Sequence, residues 1–187
     1  MRNADRRNNM DYKDLEQMAK ESGFTNTAEL DVSTIELKQE VRDMCSKNKC
    51  GAYGTTWSCP PGCGTLEECA ERIHKFKKGI LVQTVGQLED SLDGEGMMRT
   101  AHEHAEHVNA MQEKILAKTK NILTLGAGGC KLCSKCTYPD APCRQPEKMH
   151  SSMESYGMVV MEVCKANNLG YYYGSDHIAY TGCFLYE

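Results

Sequence analysis

Residues 79–85 read GILVQTV, an apolar, β-rich stretch opened by a glycine and the strongest strand signal in the chain. Val, Ile and Thr suit a pleated surface, and the run is too short for a helix of ordinary length. Downstream, residues 96–120 place Met97, Ala101, Ala105, Val108, Gln112 and Ile115 at helical spacing on one flank. NILTL, residues 121–125, reads as a second strand. Upstream, TLEECAERIHKF opens with Thr65 and, three positions on, Glu68. That pair is a capping box and predicts a helix. Strand–helix–strand, followed by further helix and strand, predicts an α/β or α+β fold, a small sheet flanked by helices. Two cysteine-rich loops would be inserted at its edge.

The remaining segments fill this frame. MDYKDLEQMAKES, residues 10–22, carries Leu15, Met18 and Ala19 on one side, with Gly23 as its stop. Together with a polar tail that holds Arg2, Arg6 and Arg7, it makes an N-terminal region over residues 1–30. Residues 31–187 form the cysteine-rich domain. It begins with a short strand around Ile35 and a helical turn running into Cys45. Residues 146–167, PEKMHSSMESYGMVVMEVCKAN, read as helix broken near Gly157. LGYYYGSDHIAYTGCFLYE closes the chain as one or two strands, Tyr171–Tyr173 among them.

A chain of 187 residues buries about 70% of its unfolded surface and needs no cross-links to fold. Lys and Arg total 22 against 26 Asp and Glu, a net charge of −4. That balance argues against nucleic acid as a partner. No apolar run reaches the length of a membrane span. The charged first ten residues are followed by no apolar stretch of the secretory kind, so the expected location is the cytoplasm, where thiols stay reduced. Eleven cysteines, an odd number, then read as ligands before disulfides.

Eight of them fall in two loops. Cys130, Cys133, Cys136 and Cys143 lie in LGAGGCKLCSKCTYPDAPCR, residues 125–144. Closely spaced single thiolates suit a cubane, in which each iron wants one cysteine. Zinc more often takes two separated Cys-x-x-Cys pairs around one ion. The spacing resembles that of bacterial ferredoxins, although Arg144 stands where a proline follows their fourth cysteine. The glycines of GAGG let backbone N–H groups turn toward a negative centre. Cys45, Cys50, Cys59 and Cys63 form a second set, with Pro60, Pro61, Gly62 and Gly64 fixing the turn between the last two. Trp57 and Tyr53 would shield this centre from water. Each site would carry a charge of −2, with Lys47, Lys49, Lys131, Lys135 and Arg144 close in sequence to offset it.

With both loops in view, the chain resembles a family of cysteine-rich predicted metal-binding proteins of anaerobic bacteria and archaea, catalogued as a domain of unknown function. The pieces that carry the resemblance are VRDMCSKNKCGAYGTTWSCPPGCG, GILVQT, CKLCSKCTYPDAPCRQPEKM with SMESYG after it, and AYTGCFLYE. Together they span residues 31–187. The resemblance implies that the cysteines are iron–sulfur ligands and implies no particular reaction.

Other residues invite blander readings. His104 and His107 share a helix face as a metal pair would, yet HEHAEH, with Glu103 and Glu106 interleaved, reads as an outer face. Cys164 and Cys183 read as small buried hydrophobes, and Cys69 as a spare ligand or a peripheral thiol. Met97, Met98, Met111, Met158 and Met161 fit core filling, and His177 beside Asp176 a surface loop. Three functional readings result. The first is a protein with two [4Fe-4S] clusters that passes single electrons to a redox partner protein. The second is a structural zinc (Zn2+) interaction module. The third is a redox enzyme with an open cluster site.

Overall fold

The computed structural model describes residues 10–186; the tail with Arg2, Arg6 and Arg7 lies outside them. GILVQTV falls in β2 (Lys78–Gln87), an interior strand. β1 (Asn26–Asp31) pairs with one side of it and β5 (His177–Tyr186) with the other, both antiparallel. β3 (Ile122–Gly126) runs antiparallel to β5, and the two-residue β4 (Ser151–Ser152) runs parallel to β3. The sheet order is β1-β2-β5-β3-β4, a mixed open sheet with helices on both faces, and the class is α+β.

Side chains alternate along a strand, so Ile80 and Val82 face one way and Leu81 the other. Ile80, Val82, Phe184 and Tyr186 pack on α1 (Tyr12–Ser22) and α4 (Gly94–Leu116) through Leu15, Met18, Val108, Met111 and Ile115. Leu81, Leu125, Cys183 and Leu185 pack on the opposite layer. That layer holds α3 (Leu66–Ile73), α5 (Val160–Ala166) and the short 3-10 segment Glu154–Tyr156. Burial on both faces is why β2 reads as an unbroken apolar run. α2 (Gln39–Ser46) leads into the first cysteine loop, which α3 closes. The second cysteine loop leaves the end of β3 and returns at β4.

Gly23, at φ 101°, ends α1 in the left-handed conformation, where a Cβ would also run into the His107 ring. Thr65 and Glu68 form the expected capping box on α3. Other expectations need correction. The strand expected around Ile35 is absent; the strand lies at Asn26–Asp31, a mostly polar segment that sits at the sheet edge and buries only Leu30. Residues 146–150 are turns rather than helix, and Ser151 lies in β4. Tyr171–Tyr173 precede β5 without joining a strand and are exposed. Met111 and Met158 fill the core as expected, but Met98 and Met161 are exposed. The buried face of α4 is Thr100, His104, Val108, Met111, Gln112 and Ile115, rotated from the expected flank so that His104 points inward. Among the described residues no helix is long and apolar enough to cross a membrane.

Candidate metal centres

The second loop folds back on itself so that Cys130, Cys133, Cys136 and Cys143 all line one cavity of about 270 Å³. N–H groups point at these sulfurs. The Gln145 backbone N–H donates to Cys143 Sγ at 3.4 Å, and the Gln145 amide Nε2 donates to Cys133 Sγ at 3.6 Å and to the Leu132 carbonyl at 3.2 Å. Burial raises the Cys130 thiol, opposed by backbone N–H groups of Leu132 and His150. At Cys136 burial also pushes upward. Backbone N–H groups of Tyr138, Trp57 and Thr137 outweigh it, so that thiol lies below its ordinary value. Donors aimed at a sulfur favour its anionic form, the form that binds metal.

The first loop lies against the second. Ser58, fully buried, accepts from the Cys130 backbone N–H at 3.0 Å and stands 3.9 Å from Cys59 Sγ. Trp57 donates through Nε1 to the Ala141 carbonyl at 3.1 Å and meets the Tyr138 ring edge-on at 4.9 Å. Cys45, Cys50 and Cys59 line a second cavity of about 490 Å³, shared with Tyr53, Glu154 and the backbone of Gly128 and Gly129. A Cβ on Gly129 would stand 3.4 Å from Cys59 Sγ, so glycine there keeps the wall thin. Cys130, Lys131 and Thr56 line both cavities, which makes the two sites neighbours.

Cys63 is held to Cys59 through its backbone N–H, at 3.1 Å from the Cys59 carbonyl. Its side chain turns from the second cavity toward Cys69. The Arg42 guanidinium Nη1 lies 3.6 Å from both sulfurs and donates to the Ser155 carbonyl at 2.8 Å. Arg72 Nη1 donates to the Cys63 carbonyl at 2.7 Å and the Tyr156 hydroxyl at 2.9 Å. The neighbouring Cys69 thiol, followed by burial, raises Cys63. The Cys63 thiol, helped by the two guanidinium groups, lowers Cys69. Cys69 is fully buried, not a peripheral thiol.

Other sequence expectations divide in the same way. Tyr53 belongs to the cavity of its own loop, whereas Trp57 lines the cavity of the second. Cys164 and Cys183 are fully buried, as small hydrophobes should be. His104 is buried, against the outer-face expectation, and its Nδ1 lies 3.1 Å from Thr84 Oγ1. His107 Nδ1 lies 3.0 Å from the same hydroxyl. His177 pairs with Asp176 at 2.8 Å. Among the described residues no three His, Cys, Asp or Glu side chains converge to hold one bare ion; the loop sulfurs ring open volumes instead.

Arg42, Arg72, Ser58 and Gln145 are the contributors that spacing did not reveal. The only trace in sequence is Arg42 three positions before Cys45 and Arg72 three after Cys69, each one helical turn away.

No curated protein and no solved structure matches the chain. A family model described as a predicted metal-binding protein (DUF2284) matches residues 28–186, from within β1 to the end of β5 and across both cysteine loops. The chain belongs to that family of cysteine-rich predicted metal-binding proteins.

Proposed function

We propose that the chain is an iron–sulfur protein with two [4Fe-4S] clusters that passes single electrons to and from a partner protein. Cys130, Cys133, Cys136 and Cys143 hold one cluster; Cys45, Cys50 and Cys59 line the place of the other, whose fourth ligand, Cys63, turns from Cys69 into that cavity when the cluster binds. The observation that carries the reading is the ring of four sulfurs around a single cavity, each from a separate point of the loop. A cubane takes one thiolate at each iron, so its ligands surround a volume rather than meet at a point. N–H groups directed at Cys133, Cys136 and Cys143 suit sulfurs that stay anionic. The cluster supplies a one-electron couple; the chain supplies the thiolates, their hydrogen bonds and a partly shielded position. Cys50 is exposed, which leaves the second site open at the surface where a partner would dock.

The test is iron, zinc and acid-labile sulfide content with an absorption spectrum, on protein purified without oxygen. The expected result is a brown protein with about eight irons and eight sulfides per chain. A colourless protein with zinc and no sulfide would overturn the reading and leave a structural module.

A further inference from the structure

A third cavity adjoins the ring of four sulfurs, with Trp57 and Met149 in the shared wall. It occupies about 520 Å³ between the C-terminal half of α4, β3 and the returning end of the second cysteine loop. Three polar side chains border it without using their full hydrogen-bonding capacity. Thr124 Oγ1 is buried with no partner among the described residues. The amide of Gln112, 5% exposed, makes no hydrogen bond to a described residue. His150 turns Nδ1 toward the Lys148 carbonyl at 3.3 Å, which leaves Nε2 as its unused ring nitrogen. Of the three, Thr124 Oγ1 is the enclosed orphan, whereas the Gln112 amide and His150 Nε2 keep accessible surface at the cavity, where a ligand can pair them.

The wall chemistry narrows the occupant. Trp57, Ile122 and Met149 present apolar surface, which favours a flat ring. With Nδ1–H given to the carbonyl, His150 Nε2 only accepts, so the ligand must bring an O–H or N–H. Thr124 and Gln112 take either role. The charged groups at the cavity are already engaged: Lys120 pairs with Glu147 at 3.0 Å, and Arg72 serves the Cys63 carbonyl and Tyr156. A charged ligand would have to compete with these partners for its counter-charge.

We infer that this cavity binds a small neutral aromatic molecule carrying hydroxyl groups, of the phenol or hydroquinone class. The ring lies on the apolar wall, one hydroxyl donates to His150, and the other groups meet Thr124 and Gln112. The inference stands on the cavity and does not depend on the metal reading. Cys63 forms part of the same wall, so an occupant would sit beside the proposed centres.

The probe is hydroquinone, titrated calorimetrically into the full chain purified without oxygen, with benzoate as the charged counterpart and iron measured on the same sample. Hydroquinone is expected to bind, and Thr124→Val and Gln112→Leu each to weaken it about tenfold, the loss of one good hydrogen bond. Neither variant should lower the melting temperature, because each removes a group that has no partner in the unliganded chain. No binding at millimolar hydroquinone, tighter binding of benzoate, or affinity unchanged in both variants would overturn the proposal. Binding without iron would sink the electron-transfer reading alone; iron without binding would sink this one alone.

Discussion

At the scale of single residues, Thr84 carries a buried hydroxyl that serves two imidazoles. It has one hydrogen and stands between Nδ1 of His104 and Nδ1 of His107. It can donate to only one of them, so at least one imidazole must donate to it. His104 Nε2 is buried and unpartnered. Placing the proton on His104 Nδ1 leaves only a lone pair buried there, whereas the other tautomer would bury an orphan N–H. The expected result is an Nδ1–H tautomer for His104 in nitrogen chemical shifts. The reverse tautomer would refute this hydrogen-bond order.

The same residue sets a pH dependence. Burial, with smaller contributions from His107 and His150, holds His104 at about 3, against an ordinary 6.5. Burial also lowers His107 and His150. The unfolded chain therefore binds more protons than the folded one below pH 6.5, and stability falls as the pH drops from there toward 3. Each such histidine contributes a slope of up to about 1.4 kcal/mol per pH unit. Urea unfolding from pH 7 to pH 4 should show this, and His104→Asn should flatten the slope relative to wild type. Parallel slopes would mean that His104 titrates normally in the fold. Comparing the two proteins cancels any acid release of metal that they share.

At the scale of elements, legibility followed the local physics. β2 was readable because both of its faces are buried, and α3 because Thr65 and Glu68 satisfy the first-turn N–H groups reciprocally. β1 was not, because an edge strand with one buried residue leaves almost no apolar signal. The inward turn of His104 was hidden because a histidine pattern looks alike on either face of a helix until its partner, Thr84, is known. The loop cysteines were found by spacing, but spacing could not say that Cys63 leans toward Cys69 and two guanidinium groups. Two expectations belong at this scale. Leu81→Ala, on the fully buried face toward α3 and α5, should cost about 2–5 kcal/mol in unfolding free energy. Thr65→Ala should cost about 1 kcal/mol by loss of the cap. If denaturant midpoints place Thr65→Ala as the costlier change, α3 is held by its cap and not by packing.

At the scale of the whole molecule, the two cysteine loops are far apart in sequence but form one region. The chain reaches the first between α2 and α3 and the second between β3 and β4. Ser58 then joins them by accepting from the Cys130 N–H. Cys130 lines both sulfur-lined cavities, whereas Cys143 lines only the 270 Å³ one of the two. The two proposed clusters should therefore respond differently to serine substitution. Cys143→Ser should disturb one centre and remove about half of the bound iron; Cys130→Ser should disturb both and remove more than half. Ser58→Ala, which leaves the Cys130 N–H without its acceptor, should weaken both centres together while every cysteine remains. Iron and sulfide per chain, measured on the three variants side by side, checks the set. Equal losses in Cys143→Ser and Cys130→Ser, with Ser58→Ala unchanged, would make the two loops independent metal sites that merely touch.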